Sequence, residues 1–345
     1  MSVAAPKPKP RTLALSQLSA GPSLPTPPAR RVDSVRYLRL SVTRGCSMRC
    51  TYCRPAFDRG HEPAALDADD LAYLVAHLHR RCGLRKLRIT GGEPTTRRDL
   101  PDLIDRLARI GVPDLAMTTN ALTLARDAVP LRRAGLRRVN VSLDTLDRRR
   151  FAALTGVDGL KRTLAGIDAA QRAGFRRVKL NTVVVAGQNE TDLPDLVRYA
   201  AGRGLPIRFI ELMPMGPLAA QWQRRYVPAE RMRAALAGTV RRWRARPETA
   251  DAARVFDAEL RDGTTAEVGF VTPMSRHFCD RCDRLRLTAD GAVYPCLMDE
   301  PRGNLADPVR RRDAAAIDRV LDEAYRGKAD VHPPVAPGVM THLGG

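Results

Sequence analysis

The sequence predicts an α/β fold, an incomplete (β/α)6 TIM-like barrel of parallel strands followed by a β-rich C-terminal extension. Three observations carry that expectation. Short β-rich runs alternate with helical stretches from residue 36 to residue 212, and the rhythm breaks near residue 220. The residues of unusual chemistry fall toward the C-terminal ends of the strands, where α/β folds assemble their sites.

In chain order, residues 1–33 read as a disordered arm, because the first thirty contain seven prolines and no acid. "RYLRLSVT" (36–43) reads as a strand and 67–82 as a helix, then "KLRIT" (86–90) as a strand and 99–110 as a helix. "LAMTTN" (115–120) precedes a helix near 123–134, and "RRVNVSL" (137–143) precedes helical stretches to about 173. "RRVKLNTVVV" (176–185) is followed by a helix at 190–203, and "IRFIEL" (207–212) ends the series. Right-handed crossovers would curl these six units into a barrel two strands short of closure, although periodicity alone also fits an open doubly wound sheet. The expected boundaries are 34–220 for the barrel and 221–345 for the extension, with β runs near 253–259, 265–271 and 285–295.

The net charge of +20 invites a nucleic-acid reading, but the basic residues are almost all arginine, spread along an alanine-rich chain, and aromatics are scarce. Arg148-Arg149-Arg150 and Arg310-Arg311-Arg312 read as solvated helix faces. Nucleic acid is therefore not an expected partner. Nor is a membrane, since no apolar run approaches the ~20 residues a span needs. Without a secretory h-region, a bacterial cytoplasmic setting is expected.

The seven cysteines fall as Cys46, Cys50 and Cys53, a lone Cys82, then Cys279, Cys282 and Cys296. Two trios make a poor disulfide framework and point to metal instead. Cys82, at the end of a helix, reads as a buried thiol. C-x3-C-x2-C supplies three thiolates from one short loop, whereas structural zinc wants a closed shell of four ligands. An iron–sulfur cube on three cysteines leaves one iron open.

"CSMRCTYC" after the first strand, with "GGEP" (91–94) after the second, resembles the radical S-adenosylmethionine (SAM) family. The resemblance implies a 4Fe–4S cluster on Cys46, Cys50 and Cys53, with SAM completing the open iron and cleaving to a 5′-deoxyadenosyl radical. Tyr52 would pack near the adenine, Gly92 in "GGEP" would help hold the methionine amino group, and Ser142 and Met213 match positions that contact SAM.

The second trio, in "FCDRCDRLRLTADGAVYPCL" (278–297), allows either a zinc knuckle completed by His277 or a second cluster with an open iron. Arg39, Lys86, Arg88, Lys179 and Arg208 sit inside otherwise apolar strands, and Arg284 and Arg286 alternate along another. Cations turned into a barrel lumen are costly unless an anion meets them, and a triphosphate suits arginine forks. With "LRLSVT", "KLRITGGEPTTRRDL", "MTTNA", "NVSLDTLD", "VKLNTVV", "IRFIELMPMG" and the terminal "GG", the chain from about residue 34 onward resembles the GTP 3′,8-cyclase family of molybdenum-cofactor biosynthesis.

That resemblance implies a second 4Fe–4S cluster on Cys279, Cys282 and Cys296 that binds guanine at its open iron. It also implies GTP contacts from Arg39, Arg88, Thr118, Lys179, Arg284, Leu285 and Arg286. Lys86 and Arg208 would line the channel, and the Gly344-Gly345 tail would reach into the site. Further implied are C3′ hydrogen abstraction followed by C3′–C8 bond formation, an electron donor, a homodimer, and transfer of the product to cyclic pyranopterin monophosphate synthase. The chain departs from the family pattern at "TRGCSMRC" (commonly "TDRCNFRC"), "CRP" (commonly "CMP") and "THLGG" (commonly with isoleucine before the glycines). None of these removes a ligand.

Overall fold

The structure is a computed structural model that describes residues 31–53, 66–249 and 251–333. Most of the expected arm and the Gly344-Gly345 tail lie outside the described residues. The alternating half comprises β1 (Tyr37–Ser41), α1 (Ala68–Cys82), β2 (Lys86–Thr90), α2 (Leu100–Arg109), β3 (Asp114–Thr119), α3 (Leu124–Arg133) and β4 (Arg138–Ser142). It continues through α4 (Arg148–Thr155), α5 (Leu160–Arg172), β5 (Arg177–Val184), α6 (Leu193–Gly202) and β6 (Ile207–Glu211). Then come α7 (Trp222–Arg225), α8 (Ala229–Ala235), β7 (Val240–Ala245), β8 (Ala253–Leu260), β9 (Thr265–Val271), β10 (Arg284–Leu287), β11 (Val293–Tyr294), α9 (Ala306–Arg310) and α10 (Ala314–Arg326).

Local chemistry sets several boundaries. Asp67 accepts a hydrogen bond from the Asp70 amide at 2.8 Å and starts α1, and Gly83 at φ 64° ends it in the left-handed conformation. Asp147 and Asp313 cap α4 and α10 in the same way. Cys82 is buried at the end of α1, where burial pushes its thiol up to about 11.

All strands belong to one sheet, ordered β11-β10-β1-β2-β3-β4-β5-β6-β9-β8-β7. β1 to β6 pair in parallel in chain order, as six strand-helix units should. The extension then carries the same sheet onward: β10 pairs in parallel with β1, and β9 pairs in parallel with β6. Both ends of the six-strand array would otherwise expose backbone donors and acceptors. Antiparallel β11 and the β7–β8 hairpin flank this parallel run.

The two sheet faces are chemically opposite. Leu38, Leu40, Leu87, Ile89, Met117, Val139, Val141, Leu180, Phe209 and Leu285 lie on one face, fully buried in the core under the helices. Registers Arg286–Arg39–Arg88–Ala116 and Thr118–Asn140–Lys179 put the polar residues of successive strands side by side on the other face. The sheet curls around that polar face. Lys86 on β2 pairs with Asp251, whose carboxyl also feels Arg208 on β6 and Lys179 on β5.

Candidate active site

The polar face encloses a cavity of about 240 Å³. Its walls bring together Arg39, Lys86, Arg88, Thr118, Lys179, Arg208, Met213, Cys279, Cys282, Arg284, Arg286 and Cys296, from both halves of the chain. Arg88, Lys179 and Arg286 are each less than one-tenth exposed. Burial lowers Lys179 to about 7, helped by the charges of Arg208, Arg177 and Arg138. Burial and the charges of Arg39 and Arg284 lower Arg286 to about 9. Arg39, Arg138 and Arg208 are shifted the same way, burial first. Asp251 is the one carboxylate among the described residues lining this cavity.

Arg88 Nη1, Arg138 Nε, Arg208 Nε and Arg284 Nε are buried without a hydrogen-bond partner. A buried N–H of a cation left unsatisfied is expensive, and four of them around one cavity mark the place of an anionic ligand. Thr118 offers a hydroxyl on the same wall, 3.5 Å from Asn140 Nδ2. Leu285 does not share this position. Its side chain is fully buried on the opposite face, because strand alternation turns it away from Arg284 and Arg286.

The first cysteine loop sits at the C-terminal ends of the strands, braced from two sides. Gly92 N–H donates to Thr43 O at 2.8 Å and Glu93 N–H to Gly45 O at 2.7 Å. A Cβ on Gly92 would lie 2.3 Å from Gly45 O, and one on Gly91, at φ 153°, would lie 2.6 Å from Thr43 O. The glycines of "GGEP" therefore let the β2 loop lie directly on the cysteine loop. On the other side, Arg49 and Thr51 amides donate to Thr155 O and Leu154 O at 2.8 and 2.9 Å. Burial, with the charges of Cys53, Asp144 and Cys46, pushes the Cys50 thiol well up.

Tyr52 donates to Asp144 Oδ2 at 2.7 Å, and Asp144 Oδ1 accepts from the Val183 amide at 2.9 Å. Burial raises Asp144 to about 6 against those hydrogen bonds. Ser142 ends β4, half-buried beside Asn181. Glu93 is buried and accepts from Thr95 N, Thr119 Oγ1 and Asn120 N, tying the "GGEP" loop to the end of β3. Sequence reasoning missed the structural duties of Glu93 and Asp144, although an acid directly after a strand was a visible signal for both. It also missed Tyr37, which faces the cavity from β1.

In the second trio, burial raises Cys279, with the charges of Cys296 and Cys282 adding, and all three cysteines line the cavity. Burial alone would raise Cys282, yet Lys328 and Arg284 hold it below its ordinary value. All seven cysteines are thiols and not disulfides. Two sets of three thiols are a donor set that fits clusters with one open iron. Among the described residues, ligand atoms of His277, Cys279 and His332 lie within 4.8 Å of one another. Met213 packs beside Cys296 with Met215 and Met298, which puts it next to the second trio.

Many surface arginines are matched by acids, for example Arg148 with Asp158 and Arg312 with Asp70. No helix among the described residues is long and apolar enough to cross a membrane.

The chain matches the Radical SAM superfamily over residues 40–200 and Molybdenum Cofactor Synthesis C over residues 205–334. It is 42% identical to GTP 3′,8-cyclase 1 of Pseudomonas aeruginosa over 91% of this chain and 95% of that protein. It is 41% identical to GTP 3′,8-cyclase of Ectopseudomonas mendocina over 86% of this chain and 90% of that one. It is 38% identical to the Rhizobium etli GTP 3′,8-cyclase over 90% and 91%. Among solved structures, Streptococcus suis SuiB bound to S-adenosylmethionine superposes with a TM-score of 0.59 at 15% identity, covering 85% of this chain and 67% of that one, a likeness of fold. The chain belongs to the radical SAM family of GTP 3′,8-cyclases.

Proposed function

We propose that this chain converts GTP to 3′,8-cyclo-7,8-dihydro-GTP, the first step of molybdenum-cofactor biosynthesis. The observation that carries the reading is the cation-lined cavity that holds the second cysteine trio and four arginines with buried, unsatisfied N–H groups. A polyanion beside a metal centre is what that wall would accept. When bound at Cys46, Cys50 and Cys53, a 4Fe–4S cluster with SAM supplies the radical that takes hydrogen from ribose C3′.

The chain's own residues do the rest. Arg39, Arg88, Lys179, Arg284 and Arg286 grip the triphosphate, while Thr118, the Leu285 backbone, Lys86 and Arg208 line its path. Tyr52, Gly92, Ser142 and Met213 receive SAM. A second 4Fe–4S cluster on Cys279, Cys282 and Cys296 would take the guanine base, and the Gly344-Gly345 tail would reach into the site. Holding C3′ against C8 inside this curled sheet keeps water from the carbon radical. An electron donor, a homodimer, a cytoplasmic setting and passage of product to cyclic pyranopterin monophosphate synthase complete the reading.

Anaerobic incubation of reconstituted protein with SAM, dithionite and GTP tests it by mass spectrometry. The expected result is 5′-deoxyadenosine together with a cyclised nucleotide that keeps its triphosphate. Deoxyadenosine with GTP untouched would defeat the substrate assignment. A second reading, zinc at the second trio, draws on the closeness of His277, Cys279 and His332. It predicts ~4 irons and one zinc per chain, where two cubes give ~8 irons.

A further inference from the structure

We propose that Tyr37 is a positioning residue of the nucleotide pocket: its phenol oxygen and ring together gather arginines from three strands, the oxygen acts as their counter-ion, and it takes up a proton when nucleotide phosphates replace it. This rests on the nucleotide reading above and deepens it. Tyr37 lies on the cavity face of β1, with Lys86 of β2 and Arg284 of β10 as its register partners. Arg39 Nη1 and Arg88 Nε each donate to its hydroxyl at 3.4 Å. The guanidinium carbons of Arg284 and Arg88 stand 5.4 and 6.0 Å from its ring centroid.

The phenol oxygen thus meets cations from its own strand and from β2, while Arg284 of β10 stands against the ring. Arg286 of β10, which feels the charge of Tyr37, adds a further cation, while Lys86 is drawn off toward Asp251. Burial favours the neutral phenol, but Arg88, Arg39 and Arg284 together pull Tyr37 from its ordinary 10 down to about 6. Phosphate oxygens meet guanidinium forks with more charge and better geometry than a phenolate at 3.4 Å. Once the arginines turn to phosphate, the field that ionises Tyr37 weakens and it recovers a proton.

The test is calorimetric titration of GTP into the anaerobic two-cluster protein at pH 8, in buffers of different ionisation enthalpy. Lys179 also gains a proton on binding, so the Tyr37→Phe variant supplies the reference. We expect wild-type uptake to exceed that of Tyr37→Phe by about one proton. Equal uptake in the two proteins overturns the role of Tyr37 while leaving the nucleotide reading intact. Absence of GTP binding to the wild type overturns the nucleotide reading and this proposal with it. Should Tyr37→Phe lose its clusters, Lys179→Met keeps Tyr37 as the remaining acceptor and must still take up a proton; no uptake there overturns the role.

Discussion

The two cysteine trios use the same number of thiols in opposite surroundings. Cys46, Cys50 and Cys53 sit on a loop clamped by backbone hydrogen bonds to the "GGEP" turn and to the end of α4, next to the buried Tyr52–Asp144 pair. Asp144 is the one acid among the described residues that acts on Cys50, and burial raises Cys50 and Asp144 alike. Cys279, Cys282 and Cys296 bracket β10 and β11 amid Lys328, Arg284 and Arg286, and there Cys282 is lowered. In each loop an amide two residues on donates to a sulfur, Met48 to Cys46 at 3.4 Å and Met298 to Cys296 at 3.5 Å, so local loop chemistry is shared. The difference lies in what surrounds the loop. A carboxylate behind the loop suits a positively charged sulfonium cofactor, and a cation-flanked loop suits an anionic nucleotide.

Substitutions can break that division of labour. Replacing Cys50 with Ala removes a ligand from the braced loop, so both 5′-deoxyadenosine and nucleotide product should fall to background, measured chromatographically. Arg286→Ala strikes only the cationic side: loss of one charge-assisted contact should weaken GTP binding by about a hundredfold and leave deoxyadenosine formation in place. Unchanged GTP affinity would put the triphosphate elsewhere.

Lys179 sharpens the contrast through pH. Burial lowers it to about 7, so in the free protein it is neutral above that value, and bound phosphate must recharge it. GTP affinity should therefore decline as pH rises above about 7, with Lys179 contributing up to about tenfold per unit, and the profile should be flatter in Lys179→Arg. The smallest effect belongs to Asp251, which pairs with Lys86 and competes with phosphate for the same cations. Asp251→Asn should tighten GTP binding a few-fold, since this pair is partly exposed and screened.

Much of this was legible in the sequence because strand alternation is a local signal. β1 to β6 fall within the expected runs to a residue or so, and the cavity-facing cations were visible as charged residues interrupting apolar strands. Pairing is not local, so nothing in "RLRL" or "TAEVGFV" announced that β10 and β9 would extend the parallel sheet at its two opposite ends. β7, α9 and α10 went unanticipated: "VRRWRA" carries arginines at most of its exposed positions and lacks an apolar stripe. Leu285 was grouped with its arginine neighbours by motif, whereas alternation places its side chain in the core. Asp251 and Tyr37 acquire meaning only when the curled sheet brings distant strands around one cavity.

The most direct test of the divided roles is to incubate Cys279→Ala protein anaerobically with SAM, dithionite and GTP, and to quantify 5′-deoxyadenosine and cyclised nucleotide from the same reaction. The account predicts that deoxyadenosine still forms while the cyclised nucleotide disappears. Cyclised nucleotide at the wild-type yield would contradict it, because the second trio would then have no part in holding the substrate.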